Sequence, residues 1–130
     1  MSLEKITTIV ENAIATLGMP AEEARTENAG QWNVAKNEQI QIMLDIWEEQ
    51  EHWFFQTLSP VCEIGDENNP EFLRLLLEEN HGFCEAAFTI LDGAVFLKYT
   101  IEANNLTEDD VVKSVTRIAY YNELFQEKLG

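Results

Sequence analysis

Between residues 84 and 101 apolar residues alternate with polar or small ones in two runs, and the pair separating the runs is Asp92-Gly93. Period-two alternation marks a half-buried strand, and Asp-Gly suits the positive φ angles of a tight type I′ turn, so the stretch predicts a β-hairpin. Ala86, Phe88 and Ile90 on one arm, with Val95, Leu97, Tyr99 and Ile101 on the other, form its apolar face. A two-stranded hairpin is marginal alone in water, so helices over 70–80 and 107–128 are its natural cover.

Upstream, Leu3, Ile6, Ile9, Val10, Ala13, Ile14 and Leu17 recur at helical spacing behind Ser2. They predict a first helix capped by Ser2 and stopped at Gly18 and Pro20, with Glu4, Lys5, Glu11 and Asn12 on its solvated side. Met19 to Gly30 reads as a connector with a turn of helix at Ala21–Arg25. Trp32–Lys36 and Gln39–Trp47 read as strands joined at Asn37-Glu38, and Glu48–Glu51 is a polar break before the aromatic run His52–Ser59. Pro60 lacks a ladder donor and marks a bulge, an edge or a strand end, with Val61–Ile64 continuing the strand. This run carries bulk on both faces, Trp53 and Phe55 on one and Phe54 and Leu58 on the other, and we expect helices to cover both.

Gly65–Asn69 is a loop of turn formers, and Pro70 suits the first position of a helix capped by Asn69 and ending near Asn80, with Gly82 just beyond. Phe72, Leu73, Leu75, Leu76 and Leu77 spread over more of this helix than one sheet face can use, which leaves one side for a second subunit. Thr107 and Asp110 imitate a capping box ahead of a long amphipathic helix. The order α-β-β-β-α-β-β-α defines an α+β domain, an antiparallel sheet with packed helices, spanning residues 1–130 as one unit.

Charge narrows the partners. Against 8 basic residues stand 24 acidic ones, a net charge of −16 that repels phosphate backbones and anionic lipid, so we expect neither nucleic acid nor membrane as partner. No apolar run reaches the length of a membrane span, and residues 1–17 lack the pattern of a secretory signal, which places the protein in the cytoplasm. Cys62 and Cys84, 21 residues apart and set among apolar residues at strand positions, read as buried reduced thiols.

Catalytic patterns are sparse. Glu49–His52 and Glu78–His81 have the spacing of a di-metal carboxylate site, but that spacing works on helices. Here the first copy lies at a turn into a strand and the second at a helix end. Asp66-Glu67-Asn68-Asn69 starts like a calcium loop, yet Glu71 stands where glycine is needed and Leu77 where the bidentate acid belongs. No nucleophile elbow, phosphate loop or dinucleotide fingerprint occurs. No cofactor, metal or catalytic residue is expected, and a metal-dependent enzyme is the least favoured class.

The run Asn69-Pro70-Glu71-Phe72-Leu73-Arg74-Leu75-Leu76-Leu77-Glu78-Glu79-Asn80, followed by a strand, Asp92-Gly93, a second strand and Leu106-Thr107, resembles the type III secretion chaperone-like fold and, within it, the YbjN-like domain family. The resemblance implies a small, acidic, cytosolic, homodimeric protein without catalytic residues. It would hold an unfolded stretch of a client protein or serve in stress response and regulation. Phe72, Leu73, Leu76, Trp53 and Phe55 are the candidate interaction residues. The alternative is a regulatory domain that senses a small ligand in a pocket between sheet and helices.

Overall fold

A computed structural model describes residues 1–64 and 69–129, the last by its backbone alone. Most of the loop expected at Gly65–Asn69, with three of the four calcium-like positions, lies outside the described residues. The elements are α1 (Leu3–Thr16), α2 (Ala21–Ala24), β1 (Gln31–Ala35), β2 (Gln41–Glu49), β3 (His52–Glu63), α3 (Pro70–Gly82), β4 (Ala87–Leu91), β5 (Ala94–Glu102) and α4 (Glu108–Leu129). The five strands form one antiparallel sheet in the order β1-β2-β3-β5-β4. The expected order holds, with α2 as the anticipated single turn.

Local chemistry accounts for the boundaries. Ser2 accepts from the Lys5 N–H at 3.3 Å, and Asn69 from the Phe72 N–H at 3.1 Å with Pro70 first in its helix. Thr107 and Asp110 exchange reciprocal side-chain to backbone bonds of 3.0 and 3.1 Å at the start of α4. Asp92 and Gly93 both take positive φ, 51° and 76°, as a type I′ turn requires. The polar break at 48–51 is shorter than expected. Strand β2 runs on to Glu49, and Gln50 and Glu51, at φ 52° and 68°, make a two-residue turn without glycine.

The interior is two adjoining clusters on one face of the sheet. Under β1–β3 lie Trp32, Val34, Ile42, Leu44 and Phe55 with Ile6, Val10 and Ile14 of α1 and Val111 and Val115 of α4. Under β5 and β4 lie Phe88, Val95 and Leu97 with Leu76 of α3 and Ile118 and Phe125 of α4. Helix α4 is tied to β3 by buried polar pairs: Thr57 Oγ1 and Ser114 Oγ are 2.8 Å apart, and Asn122 Nδ2 donates to Ser59 Oγ at 2.7 Å. The register slips between Pro60 and Cys62, so of the bulge, edge or strand end that Pro60 allowed it is the bulge that forms, and α4 satisfies carbonyls there. Asn122 donates to the Pro60 carbonyl at 3.1 Å and Gln126 to that of Val61 at 2.8 Å.

Two expectations need correction. Phe54 and Leu58 are half-buried, but the helices pack on the opposite face, so β3 is covered on one side only. An antiparallel sheet tolerates a wet face, and cross-strand neighbours shelter each other: Trp47 stacks on Phe54 with ring centroids 5.7 Å apart. Cys84 is exposed, in the bend between α3 and β4, whereas Cys62 is half-buried on β3; both are free thiols. The strand-like run at 84–86 is in fact the turn into β4, where Glu85 takes φ 64°.

Candidate functional site

Of the five candidate interaction residues, Phe55 is 0% and Leu76 3% exposed, so neither offers a side chain to a partner. Trp53 is half-buried against the first cluster, and Phe72 and Leu73 are half-buried against the second. Helix α3 buries Leu76 and turns Leu75 and Leu77, 41% and 71% exposed, to solvent. Ile90 and Leu91, at the tip of the hairpin on which α3 packs, are exposed as well. The surplus of apolar residues on this helix is therefore real, but the accessible ones are Leu75 and Leu77.

A second feature lies at the opposite side of the sheet. Lys36 donates its N–H to Ile40 and Ile46 donates to Gly30, at 3.1 and 2.9 Å, so the even-numbered residues of β1 turn their backbone groups toward β2. The odd-numbered ones point outward. Gln31 is met there by the 26–28 loop, its carbonyl accepting from Thr26 and its N–H donating to Asn28. The same segment goes on as an antiparallel bridge of Arg25 beside Trp32, which sets the Asn33 N–H toward the Ala24 carbonyl. The Asn33 C=O and both groups of Ala35 have no such partner among the described residues, leaving one N–H and two C=O groups on a short open edge.

Directly beneath this open edge is a hollow of about 300 Å³ between the end of α1 and the middle of α4. Leu17, Met19, Val34, Ile42, Val115 and Ala119 give it an apolar floor, and Lys36 stands at its rim, paired with Glu123 of α4 at 2.7 Å. A smaller hollow on the outer side is bounded by Pro20, Glu23, Asn33 and Ala35. An open strand edge flanked by a side-chain-sized apolar recess is the geometry that accepts an added strand: backbone bonds supply affinity, and the recess takes every second side chain.

The edge is held rigid from behind. Glu11, expected to be solvated, receives Arg25 through Nε and Nη2 at 2.6 and 2.7 Å and the Trp32 indole N–H at 3.0 Å. The Arg25 hydrogen bonds hold its carboxyl below the usual glutamate range, against the opposing effect of desolvation. This clamp fixes α2 and the start of β1 on α1. Gly30 enters β1 at φ 82°, where an added Cβ would lie 3.1 Å from the Ile46 carbonyl oxygen.

The sheet's other border is closed in part, at Phe88, while the outward-facing groups of Ile90 have no such partner among the described residues. Asn80, at the end of α3, accepts from the Phe88 N–H and donates to the Phe88 carbonyl, standing in for a neighbouring strand on β4. The two Glu-x-x-His pairs do not assemble. Glu49 and His52 are cross-strand partners flanking the β2–β3 turn, with His52 on Glu102 at 3.0 Å, while Glu78 and His81 lie exposed on α3. Among the described residues no three His, Cys, Asp or Glu side chains gather as a metal site. No helix among them is long and apolar enough to cross a membrane.

The open edge was missed in the sequence because Asn33 and Ala35 are ordinary residues whose role comes from strand order and hydrogen-bond parity. The one available signal was the shortness of the Trp32–Lys36 run, as suits a border strand.

No family model and no curated protein matches the sequence. Solved structures do resemble it. A chain of the ExsC-ExsE complex superposes with a TM-score of 0.69 at 18% identity, over 96% of this chain and 93% of that one. A chain of the HopA1-SchA chaperone-effector complex gives 0.67 at 11%, over 98% of each. A chain of the heterodimeric ExoU-SpcU complex, from the type III secretion system of Pseudomonas aeruginosa, gives 0.61 at 14%, over 87% and 91%. At such identities the likeness concerns architecture: an antiparallel five-stranded sheet with its helices packed in the order found here is the type III secretion chaperone-like fold.

Proposed function

We propose that this protein is a non-catalytic, cytosolic protein-binding module of the chaperone type, which takes up an extended segment of a client along β1. The observation that carries the reading is the short open edge of β1, the Asn33 carbonyl and the outward-facing peptide groups of Ala35, set over an apolar hollow. The solved complexes named above supply support of the same kind, since one is a chaperone with its effector. A role in stress response or regulation, and kinship with YbjN-like domains, rest on the likeness of residues 69–107.

Ala35→Pro tests the reading. Its N–H points away from β2, so proline there leaves the ladder intact and removes one donor from the edge. Random nine-residue peptides selected on the parent protein should lose binding to the variant. Peptides that bind both equally would refute edge uptake.

The protein forms a homodimer in this reading, through Leu75 and Leu77 of α3 with Ile90 and Leu91. Apolar side chains exposed on an element with its own core contact are the pattern of a subunit interface.

A further inference from the structure

The open edge also specifies what kind of segment it accepts, an inference that rests on the reading of β1 just given. Both cations beside it are already engaged, Arg25 bidentate on Glu11 and Lys36 on Glu123. The neighbouring carboxylates of Glu23, at the outer hollow, and Glu127, in the recess beyond Lys36, have no ion-pair partner among the described residues. Glu38 follows in the turn after β1, likewise unpaired. The edge is thus bracketed by negative charge at both ends and apolar in the middle.

We infer that the client segment is an extended basic one, carrying a single aliphatic side chain with Lys or Arg a few residues to either side. Once added to β1, such a strand has alternate side chains facing the helices. The one above Val34 enters the hollow of about 300 Å³, which has room for an isoleucine, leucine or methionine and whose polar side chains are the Thr116 hydroxyl and Lys36, the latter already held by Glu123. Its flanking cations then meet Glu23 at one end and Glu38 and Glu127 at the other. The overall charge of −16 draws a basic segment in and repels an acidic one, an effect that salt weakens.

Fluorescence anisotropy with four labelled nine-residue peptides tests this. The first has a central isoleucine, flanking lysines and threonine elsewhere; the second exchanges lysine for glutamate; the third exchanges the isoleucine for serine; the fourth N-methylates alternate amides of the first. At about 50 mM salt the first should bind at least about tenfold tighter than the second and third, the gap to the second narrowing at about 500 mM. Ala35→Pro in the protein, or N-methylation of the peptide where that variant fails to fold, should abolish the binding. Equal or tighter binding of the acidic peptide, still lost with Ala35→Pro or N-methylation, overturns the charge inference and leaves edge uptake standing. Binding of the basic peptide that ignores both of those changes, or is unchanged by serine, is diffuse attraction and also overturns it. If neither the first nor the second peptide binds, edge uptake itself fails.

Discussion

The side-chain amide of Asn80 accepts a 2.6 Å hydrogen bond from the Phe88 N–H and returns one of 3.3 Å to the Phe88 carbonyl. One residue at the end of α3 thereby occupies, on β4, the place of a sixth strand. Asn80→Ala leaves both groups of Phe88 without a protein partner and should cost about 1–2 kcal/mol in urea unfolding. It should also promote slow aggregation at high concentration, read by light scattering. Asn80→Asp keeps the acceptor and should lose less.

The Glu11 clamp predicts a pH dependence. Its carboxyl titrates lower in the folded protein than in the unfolded chain, so its contribution is present above the ordinary glutamate range and is lost as pH falls through the lowered folded value. Glu11→Gln should flatten the acid side of the stability profile relative to the parent. Glu11→Ala also strands the Trp32 indole N–H and should cost about 1–2 kcal/mol near neutrality. Urea midpoints across an acid titration measure both.

Leu77→Asp and Leu76→Asp separate interface from core. Leu77 is 71% exposed, so an aspartate there should leave the urea midpoint within about 0.5 kcal/mol of the parent while halving the mass seen by light scattering. Leu76→Asp places a carboxylate in the interior and should unfold the protein. Because two copies of so acidic a chain repel, the dimer should tighten as salt rises, whereas uptake of a basic segment weakens.

Thiol reactivity provides a fourth check. Cys84 is exposed while Cys62 is half-buried, and burial pushes the Cys62 thiol up. An aromatic disulfide reagent should label one thiol rapidly in the folded protein and the second slowly, with Cys84→Ser removing the fast phase.

What could be read from the sequence divides along physical lines. The alternation of Val95, Leu97 and Tyr99, the Asp92-Gly93 turn, the Thr107–Asp110 box and the bulge at Pro60 are local, and each appears as the residues suggested. What stayed hidden is held by distant partners: Glu11 looks solvent-facing on its own helix until Arg25 and Trp32 arrive from 14 and 21 residues away. Gln50-Glu51 carries no glycine to announce its turn, and propensity was overridden by the strands it joins. The over-wide apolar surface of α3 was visible, but which leucine faced outward depended on where the helix met β4. The site at β1 was least visible, because an unsatisfied edge is a property of the assembled sheet.

The Asn80 plug has a consequence for how these molecules can associate. A sheet able to recruit strands at both borders is a monomer unit for fibrils, with every addition exposing the next place to grow. With Phe88 already partnered, the far border keeps only the Ile90 groups outward among the described residues, too short a run for a strand to pair along, so the sheet makes a poor seed for chains of strands.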